Sequence, residues 1–352
     1  MPSTSQNFDP SIHLAYQKPK EIHTLSDIKL ENSPISEIAS TDPFPFLSAE
    51  GVRAFRRELF SKDVLDNCSY KTRPGSVQIR GMAPRFAPFT TQFWTSPEVL
   101  EIVSSLAGVD LIPVIDQEIC HTNVQLGPEG LEGVRHTPVD PPSALPGYKE
   151  TSNGDNGEKP SAVVPWHRDS YPFVCVVMLS DTSTMTDGET EMQKGDGSTV
   201  KVRSPETGGA VVLQGRHVSH IAIPAGNMPE RITLVTSFRP RSPLLVDDSS
   251  LMNVRTKSLL PELYYQWSHY RLRLLSERFK HEAKSLEDSY NRAVQKCDPE
   301  GRPGHCTIET VDVEALTRWM EEQMRYMRQT LFEMRPVTAE DNINKNYIPQ
   351  VE

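Results

Sequence analysis

The middle of the chain carries short runs of β-branched and aromatic residues, a pattern that predicts buried or half-buried β-strands. The runs lie at residues 111–126, 163–181, 210–213 and 231–238. A Lys-Gly-Asp-Gly sequence at 194–197 predicts a hairpin turn between two further strands. Together these patterns predict an α+β fold with a mainly β core.

Helical periodicity flanks this core on both sides. A Ser-Pro-Glu sequence at 96–98 predicts the start of a helix that stops near Gly108, because serine caps the first turn, proline fits it and a carboxylate favours the positive end of the helix dipole. Another helix is expected over residues 48–66. In the last third, residues 261–295 and 312–333 repeat apolar side chains at helical spacing, which predicts a helical C-terminal extension.

The chain divides into three predicted segments. Residues 1–47 are polar and rich in serine and proline, and we expect them to be irregular. Residues 48–250 hold the β core with its N-terminal helices, and residues 251–352 form the helical extension, which is expected to pack on the core. Residues 127–160 form a long connection rich in proline and glycine, which is typical of a lid. The tail after Pro336 is the alternative element for closing a pocket.

Composition and charge exclude several classes of protein. The net charge of −10, from 37 basic and 47 acidic residues, argues against non-specific binding to nucleic acid. No apolar run approaches the roughly 20 residues that span a bilayer, and the first residues lack the apolar segment of a signal peptide. Five cysteines without C-x-x-C spacing argue against a disulfide framework. We therefore expect a cytoplasmic protein that binds neither nucleic acid nor membranes. It is expected to be a monomer or a homodimer.

The most specific chemical signal is the pair His167 and Asp169. Side chains two residues apart on a strand share a face, so an extended segment at 165–171 would direct both into one cavity. A distant histidine would complete a 2-His-1-carboxylate set, which binds Fe(II) and leaves positions open for other ligands. His217 and His220 are both candidates for this third ligand.

Two strands offer polar side chains that could bind an organic anion. Arg231 and Thr233 share one face of the strand at 231–238, and a guanidinium with a nearby hydroxyl suits a carboxylate. Arg239 continues this face and is either a substrate ligand or a surface arginine at the strand end. On the strand at 115–126, one face would carry the polar residues His121, Asn123 and Gln125. This face either contacts a cosubstrate or substrate, or is the solvated side of an edge strand. Trp166 and Tyr171 flank the histidine–aspartate pair and either line a pocket or pack in the core.

Taken together, His167, Asp169, His220, Arg231 and Thr233 resemble the Fe(II)/2-oxoglutarate-dependent dioxygenase superfamily. The resemblance implies a double-stranded β-helix, or jelly roll, in which His167, Asp169 and His220 hold Fe(II). It implies that Arg231 and Thr233 bind the far carboxylate of 2-oxoglutarate, that Asn123 and Gln125 are further candidate ligands of this cosubstrate, and that O2 is the second cosubstrate. Residues 187–190, Asp-Gly-Glu-Thr, resemble the GGxT element of the prolyl-hydroxylase-like branch but begin with aspartate.

The segments WHRDSYPFVCVVMLSD, GETEM, AVVLQGR and ERITLVTSFRP resemble more closely a group of fungal dioxygenases of secondary metabolism. This group includes amino-acid oxygenases of alkaloid pathways that close an aziridine ring on a branched amino acid such as valine. The resemblance implies oxidation of a C–H bond in a small metabolite by hydroxylation, desaturation or oxidative cyclisation, with Arg239, Trp166 and Tyr171 as candidate substrate ligands. Two alternatives stay open: a protein or peptide hydroxylase, and a jelly-roll binding protein without catalysis.

Overall fold

The computed structural model describes residues 6–73, 76–126, 131–143, 166–202, 205–223 and 225–336. Within these ranges the protein has a mixed α/β fold built on a large antiparallel β-sheet with helices. The chain as far as Leu260 forms one compact unit, and Pro261–Pro336 forms a second. No helix in the described ranges is long and apolar enough to span a bilayer.

The strands of the described chain all belong to the first unit. They are β1 (Ile22–Thr24), β2 (Ile38–Thr41), β3 (Phe44–Pro45), β4 (Ser69–Arg73), β5 (Ser76–Ile79), β6 (Leu111–Pro113), β7 (His121–Gln125), β8 (Phe173–Met178), β9 (Thr186–Asp187), β10 (Thr190–Gln193), β11 (Thr199–Val202), β12 (Gly209–Leu213), β13 (His220–Ala222), β14 (Ala225–Gly226) and β15 (Arg231–Pro240). The α-helices are α1 (Pro10–His13), α2 (Ala49–Leu59), α3 (Lys62–Cys68), α4 (Pro88–Thr95), α5 (Pro97–Ala107), α6 (Leu131–Val134), α7 (Leu260–Cys297) and α8 (Val313–Glu333).

The large sheet has the strand order β1-β2-β12-β8-β15-β7-β5-β4, with β3 paired to β12 and β6 paired to β15. All these pairings are antiparallel. A smaller sheet has the order β11-β10-β13, and β14 pairs with β9. The long strand β15 lies between β8 and β7, so side chains from strands far apart in sequence become neighbours on it.

One face of the large sheet packs against the N-terminal helices. The even-numbered residues Ile232, Leu234 and Phe238 of β15 are fully buried in this core. Aromatic rings fill the space beside them: Trp94 lies edge-on to Phe238, with ring centroids 5.9 Å apart. These apolar contacts fix the face of β15 on which each residue lies.

The opposite face of the large sheet packs against the small sheet. Val174 and Leu213 of the large sheet share a buried cluster with Met192 and Val202 of the small sheet. Val235 packs against the same cluster from β15. The odd-numbered residues of β15 therefore face the space between the two sheets.

Several expected boundaries agree with the structure. Ser96 caps α5 by accepting a hydrogen bond from Val99 N at 3.3 Å, and Gly108 ends the helix in the left-handed region at φ 67°. Lys194 N donates to Ser198 O at 2.8 Å in the turn between β10 and β11, which confirms the predicted hairpin.

Two expected elements are wrong in detail. The helix expected over 48–66 is divided, because Ser61 accepts a hydrogen bond from Val64 N and so caps a new helix, α3. The strand expected over 115–126 begins only at His121, because a turn of 3-10 helix occupies Asp116–Glu118. In each case a local hydrogen-bonded turn interrupts a segment for which the pattern of apolar residues predicts one continuous helix or strand.

The C-terminal unit contains the two long helices expected from the sequence, α7 and α8. Arg271 joins them: its guanidinium lies 4.4 Å from the ring centroid of Trp267 and 3.6 Å from that of Tyr326. Its Nε donates to Thr330 Oγ1 at 2.7 Å, so a buried cation is satisfied by aromatic faces and a hydroxyl.

Candidate metal centre

A short antiparallel bridge brings the two predicted histidine ligands together. His167 N donates to His220 O at 3.0 Å, and His220 N donates to His167 O at 2.9 Å. The two imidazole centroids lie 4.4 Å apart. His220 starts β13 and pairs with Met192 of β10, so the small sheet fixes its position.

Asp169 joins them for a reason different from the expected one. The prediction of an extended strand at 165–171 is wrong for its described part, because β8 begins only at Phe173 and residues 168 and 169 belong to no strand. Asp169 is instead fixed by its backbone N, which donates to Gly215 O at 2.8 Å. Convergence of the ligands thus depends on contacts with the segment after β12.

Gly215 is the residue at this contact, and its missing side chain is essential to the geometry. A Cβ on Gly215 would lie 1.8 Å from Asp169 Oδ2, well inside van der Waals contact. Only glycine lets the carboxylate lie against this part of the backbone. The sequence interpretation missed this role; its signal is a glycine two residues after Leu213, the last residue of β12.

The three side chains form a compact donor set. His167 Nε2 lies 3.5 Å from Asp169 Oδ1, and His220 Nε2 lies 3.7 Å from Asp169 Oδ2. One ligand atom from each side chain lies within 4.8 Å of the others. Two ligands of one ion, each about 2.2 Å from it, can be at most about 4.4 Å apart, so both measured separations fit a shared metal.

The protonation states also suit a metal. His220 Nδ1 donates to Val218 O at 3.1 Å, which leaves the Nε2 lone pair facing Asp169. Burial lowers the pKa of His220 and keeps its ring neutral. Burial would raise the pKa of Asp169, but the neighbouring His220 and His167 outweigh it and hold that pKa below its ordinary value. The set therefore presents one carboxylate and at least one neutral imidazole.

His217, the other candidate for the third ligand, points elsewhere. Its Nε2 hydrogen bonds to Glu31 O at 2.9 Å in an exposed setting. His220 is therefore the histidine that the fold places beside Asp169.

A second group of potential ligands lies among the N-terminal strands. Glu21, His23 and Asp42 also bring three ligand atoms within 4.8 Å, but His23 Nε2 is already bonded to Asp42 Oδ1 at 3.0 Å and Glu21 is exposed. A cavity of about 680 Å³ is lined by His23 and Asp42, and none of the three residues of the first group lines it. This second group is a suitable control for metal binding at His167, Asp169 and His220.

Polar side chains lie on the inner face of the large sheet, on β7 and β15. In the register of β7 with β15, Gln125 pairs with Arg231, Asn123 with Thr233, and His121 with Val235. β7 lies between β15 and β5, so the alternative of a solvated edge strand is wrong. Asn123 Oδ1 accepts a hydrogen bond from Gln78 Nε2 at 2.9 Å, which fixes its amide.

Arg231 is a half-buried cation on the inner face of β15, and the described residues supply no ion pair for it. Its Nε is buried without a hydrogen-bond partner among the described residues. Burial lowers the pKa of its guanidinium to about 10. Thr233, two residues further along the same face, is 4% exposed. A buried guanidinium is costly unless an anion pairs with it, so this arrangement fits a ligand that carries a carboxylate.

An ion pair behind the strand holds the start of β15 in place. Glu230 directly precedes Arg231, the first residue of β15. Arg56 of α2 is fully buried and donates to the Glu230 carboxylate at 2.5 and 3.1 Å. Its guanidinium also donates to Pro138 O at 2.8 and 2.9 Å and to Leu179 O at 3.1 Å. Glu230 is thereby neutralised by Arg56 and is not the counter-ion of Arg231.

A second buried ion pair, Arg80 with Glu118, was missed by the sequence interpretation. Arg80 Nη1 also donates to His121 Nδ1 at 3.1 Å, so the proton of the neutral His121 ring lies on Nε2. Nε2 is buried and has no partner in the described parts of the chain. His121 therefore offers one hydrogen-bond donor on the inner face of the sheet.

The remaining predicted site residues occupy different environments. Arg239 lies on the inner face of β15 and its Nη1 donates to Pro240 O at 3.2 Å. Tyr171 is 1% exposed, whereas Trp166 is 44% exposed. Of the predicted lid at 127–160, only residues 131–143 are described, and they contain the short helix α6; the rest, like the tail after Pro336, lies outside the described residues.

We expect Gly215→Ala to weaken metal binding at least about 10-fold, the scale of losing a residue that orients a ligand. The added methyl group must displace Asp169 from the position it shares with the two histidines. Isothermal titration with Mn(II) measures the affinity. Gly197→Ala is the matched control: Gly197 lies in a remote turn at φ 82° with open space beside it, so its variant loses stability without touching the site. Equal metal affinity in Gly215→Ala and the natural protein would contradict the role of Gly215.

We expect His121 to make the metal-free protein less stable as the pH falls. Burial, followed by Arg80 and Lys257, holds the pKa of His121 well below 6.5. Below about pH 6.5 the unfolded chain takes up this proton and the folded chain does not, so stability decreases by at most about 1.4 kcal/mol per pH unit. His121→Gln should flatten this part of the pH profile.

Urea unfolding tests this expectation. The free energy of unfolding of the natural protein and of His121→Gln is measured from about pH 7.5 to about pH 5, a range that spans the ordinary histidine pKa. His217→Gln, which removes an exposed histidine outside the site, should leave the profile unchanged. Parallel profiles for the natural protein and His121→Gln would show that His121 is not held neutral.

Comparisons with known proteins give only distant similarities. No protein-family model matches the sequence, and no curated protein matches it. Among solved structures, a Pseudomonas putida prolyl-4-hydroxylase is similar at 20% identity, over 58% of this chain and 92% of its own, with a TM-score of 0.33. A 2OG-Fe(II) oxygenase family oxidoreductase from Burkholderia pseudomallei is similar at 13% identity, over 54% of this chain and 89% of its own, with a TM-score of 0.32. The non-heme α-ketoglutarate-dependent epimerase SnoN of nogalamycin biosynthesis is similar at 13% identity, over 58% of this chain and 79% of its own, with a TM-score of 0.37. At these values a functional assignment depends on the geometry of the site itself.

Proposed function

We propose that the protein is a non-haem Fe(II)/2-oxoglutarate-dependent oxygenase that oxidises a C–H bond of a small metabolite. One observation carries this proposal. His167, Asp169 and His220 form a compact donor set, and the inner face of the large sheet presents Arg231, whose buried Nε has no hydrogen-bond partner among the described residues. The donor set suits Fe(II), and the unpaired guanidinium suits the far carboxylate of a dicarboxylate.

The proposal includes the fold expected from the sequence, a double-stranded β-helix. The large sheet and the sheet β11-β10-β13 would form its two faces, and the buried cluster that they share supports this arrangement. The bridge between His167 and His220 would then lie at the mouth between the two sheets.

In this function His167 Nε2, one carboxylate oxygen of Asp169 and His220 Nε2 would hold the iron. When bound, iron and 2-oxoglutarate supply the oxidising power that uses O2 to break a C–H bond. The chain's own part is to bind and to orient. Val218 O fixes the His220 tautomer, and Gly215 gives the carboxylate room to approach.

On the inner face of the sheet, Arg231 and Thr233 would bind the far carboxylate of 2-oxoglutarate, with Asn123 and Gln125 as neighbours on β7. Burial strengthens a charge-assisted bond there, since water does not compete for the guanidinium. The Nε2 proton of His121 is available to hydrogen bond to the oxygen of a bound ligand.

For the substrate we propose a small metabolite of fungal secondary metabolism, with hydroxylation, desaturation or oxidative cyclisation as the outcome. An amino acid of an alkaloid pathway, such as valine, is the specific candidate. Its carboxylate would meet Arg239, which lies on the same face of β15 as Arg231. Trp166 and Tyr171 are further candidate substrate ligands. We propose a cytoplasmic enzyme, monomeric or homodimeric, without nucleic-acid or membrane partners.

Anaerobic titration tests the proposed function directly. Fe(II) followed by 2-oxoglutarate should produce a visible charge-transfer band, and admission of O2 should release succinate. Absence of the band at saturating Fe(II) and 2-oxoglutarate would overturn the assignment. A band without succinate in the presence of amino acids and peptides would instead identify a binding protein, and succinate with peptides alone a peptide hydroxylase.

A further inference from the structure

Two cysteines approach each other at the junction of the two long helices of the C-terminal unit. Cys297 is the last residue of α7, and Cys306 lies in the connection to α8. Their Sγ atoms are 3.7 Å apart, and both residues are partly exposed. The other three cysteines of the chain, Cys68, Cys120 and Cys175, are buried.

The surroundings of the pair favour a reactive thiolate at Cys297. Thr307 N donates to Cys297 Sγ at 3.4 Å, and Thr307 Oγ1 lies 3.6 Å from the same sulfur. These hydrogen bonds, with one from Cys306, lower the pKa of Cys297. Burial, in contrast, raises the pKa of the Cys68 thiol to about 12. Exposure and hydrogen bonding thus separate Cys297 from the buried thiols.

The loop between the cysteines is folded so that it holds the sulfurs together. Asp298 accepts hydrogen bonds from Glu300 N at 3.0 Å and from Arg302 Nε at 2.7 Å. Gly304 N donates to the hydroxyl of Tyr290 on α7 at 2.8 Å, and Gly304 has a φ of 101° that favours glycine. The loop therefore turns back towards α7, which carries Cys297.

We propose that Cys297 and Cys306 are an oxidation site that reacts with peroxide and closes to an intramolecular disulfide. The Cys297 thiolate attacks one oxygen of hydrogen peroxide, the O–O bond breaks, and a sulfenic acid and hydroxide form. The Cys306 thiol then attacks the Cys297 sulfur, and the sulfenic oxygen leaves as water after taking up the thiol proton. The hydroxide takes up the proton that Cys297 released on ionising, so the two thiols lose two electrons in total and peroxide is reduced to two molecules of water.

The change in geometry that this needs is small. A disulfide bond is about 2.05 Å long, so the sulfurs at 3.7 Å must approach by about 1.65 Å, less than 1 Å each. A metal site is the weaker explanation, because the groups of three or more potential ligands found in the described part of the chain do not include these cysteines. Zinc sites of the structural type need four protein ligands.

Thiol counting and mass spectrometry of the full-length, metal-free protein test the proposal. In the native state a thiol reagent should modify two of the five cysteines, and after one equivalent of hydrogen peroxide it should modify none. The intact mass should fall by about 2 Da, the two hydrogen atoms lost, and digestion should yield a peptide pair joined through Cys297 and Cys306. The mass loss should be absent in Cys297→Ser and in Cys306→Ser.

A second measurement keeps the proposal testable if a variant is unstable. Cys306→Ser should accumulate a sulfenic acid that dimedone traps at Cys297, whereas Cys68→Ala should oxidise like the natural protein. Cross-links between chains, a bond to any other cysteine, or an unchanged mass after peroxide would each overturn the proposal. These measurements need neither iron nor 2-oxoglutarate, so they stand apart from the proposed function.

Discussion

Asp169→Ala should abolish turnover and weaken binding of Fe(II) or Mn(II) by more than about 100-fold, beyond the 10- to 100-fold typical of losing an outer partner of a metal ligand. Its carboxylate lies next to both imidazoles, at 3.5 Å from His167 Nε2 and 3.7 Å from His220 Nε2, and it supplies the negative charge of the set. Without it, only the two imidazoles remain, so the set loses one of its three ligands and its negative charge.

Anaerobic calorimetry with Fe(II), repeated with Mn(II), measures this loss. Asp169→Asn keeps the shape and removes the charge, so it should behave like Asp169→Ala if charge is decisive. His23→Ala is the matched control, since it removes the histidine of the second cluster and should leave the high-affinity site intact. If His23→Ala loses as much affinity as Asp169→Ala, the metal binds at the N-terminal group and the assignment is wrong.

Arg231→Met should have opposite effects on affinity and on stability. It should weaken 2-oxoglutarate binding at least about 30-fold, since removing one partner of a buried charge pair costs about 2 kcal/mol or more. The ligand-free variant should nevertheless be more stable than the natural protein, by about 1 kcal/mol, because the unpaired buried Nε of Arg231 is removed. An arginine retained only to stabilise the fold would show a loss of stability instead.

Thermal unfolding with and without 2-oxoglutarate measures both effects on the metal-loaded protein. At a concentration of 100 times the Kd of the natural protein, the natural protein should gain about 2.7 kcal/mol, and Arg231→Met should gain no more than about 0.9 kcal/mol. Arg239→Met is the control on the same face of the same strand, and its response to 2-oxoglutarate should match that of the natural protein. A normal response in Arg231→Met would mean that another residue binds the far carboxylate.

The sequence predicted the alternation on β15 because a long strand between two partners has one apolar face and one polar face. Ile232 and Leu234 are fully buried against the helices, so Arg231 and Thr233 must face the other way. Such period-two patterns are local, and they can be read without knowing which strands are neighbours.

The same reasoning identified the pair His167 and Asp169 but gave the wrong cause for their convergence. Asp169 does not lie in a strand. The hydrogen bond from its backbone N to Gly215 O, 46 residues later, fixes its position beside the two histidines instead. The buried ion pair of Arg80 and Glu118 could not be predicted either, because its two residues are far apart in the sequence. Contacts between residues far apart in the chain leave no periodic trace, so a single sequence does not reveal them.

The ion pair between Arg56 and Glu230 ties the proposed active site to a part of the chain that carries none of its ligands. A version shortened to begin after α2 would keep every proposed ligand of the iron and of 2-oxoglutarate, yet it would leave Glu230 as an unpaired carboxylate beside Arg231. Such a buried, unpaired carboxylate is expected to destabilise the start of β15. The smallest portion that keeps the proposed function should therefore begin before Arg56.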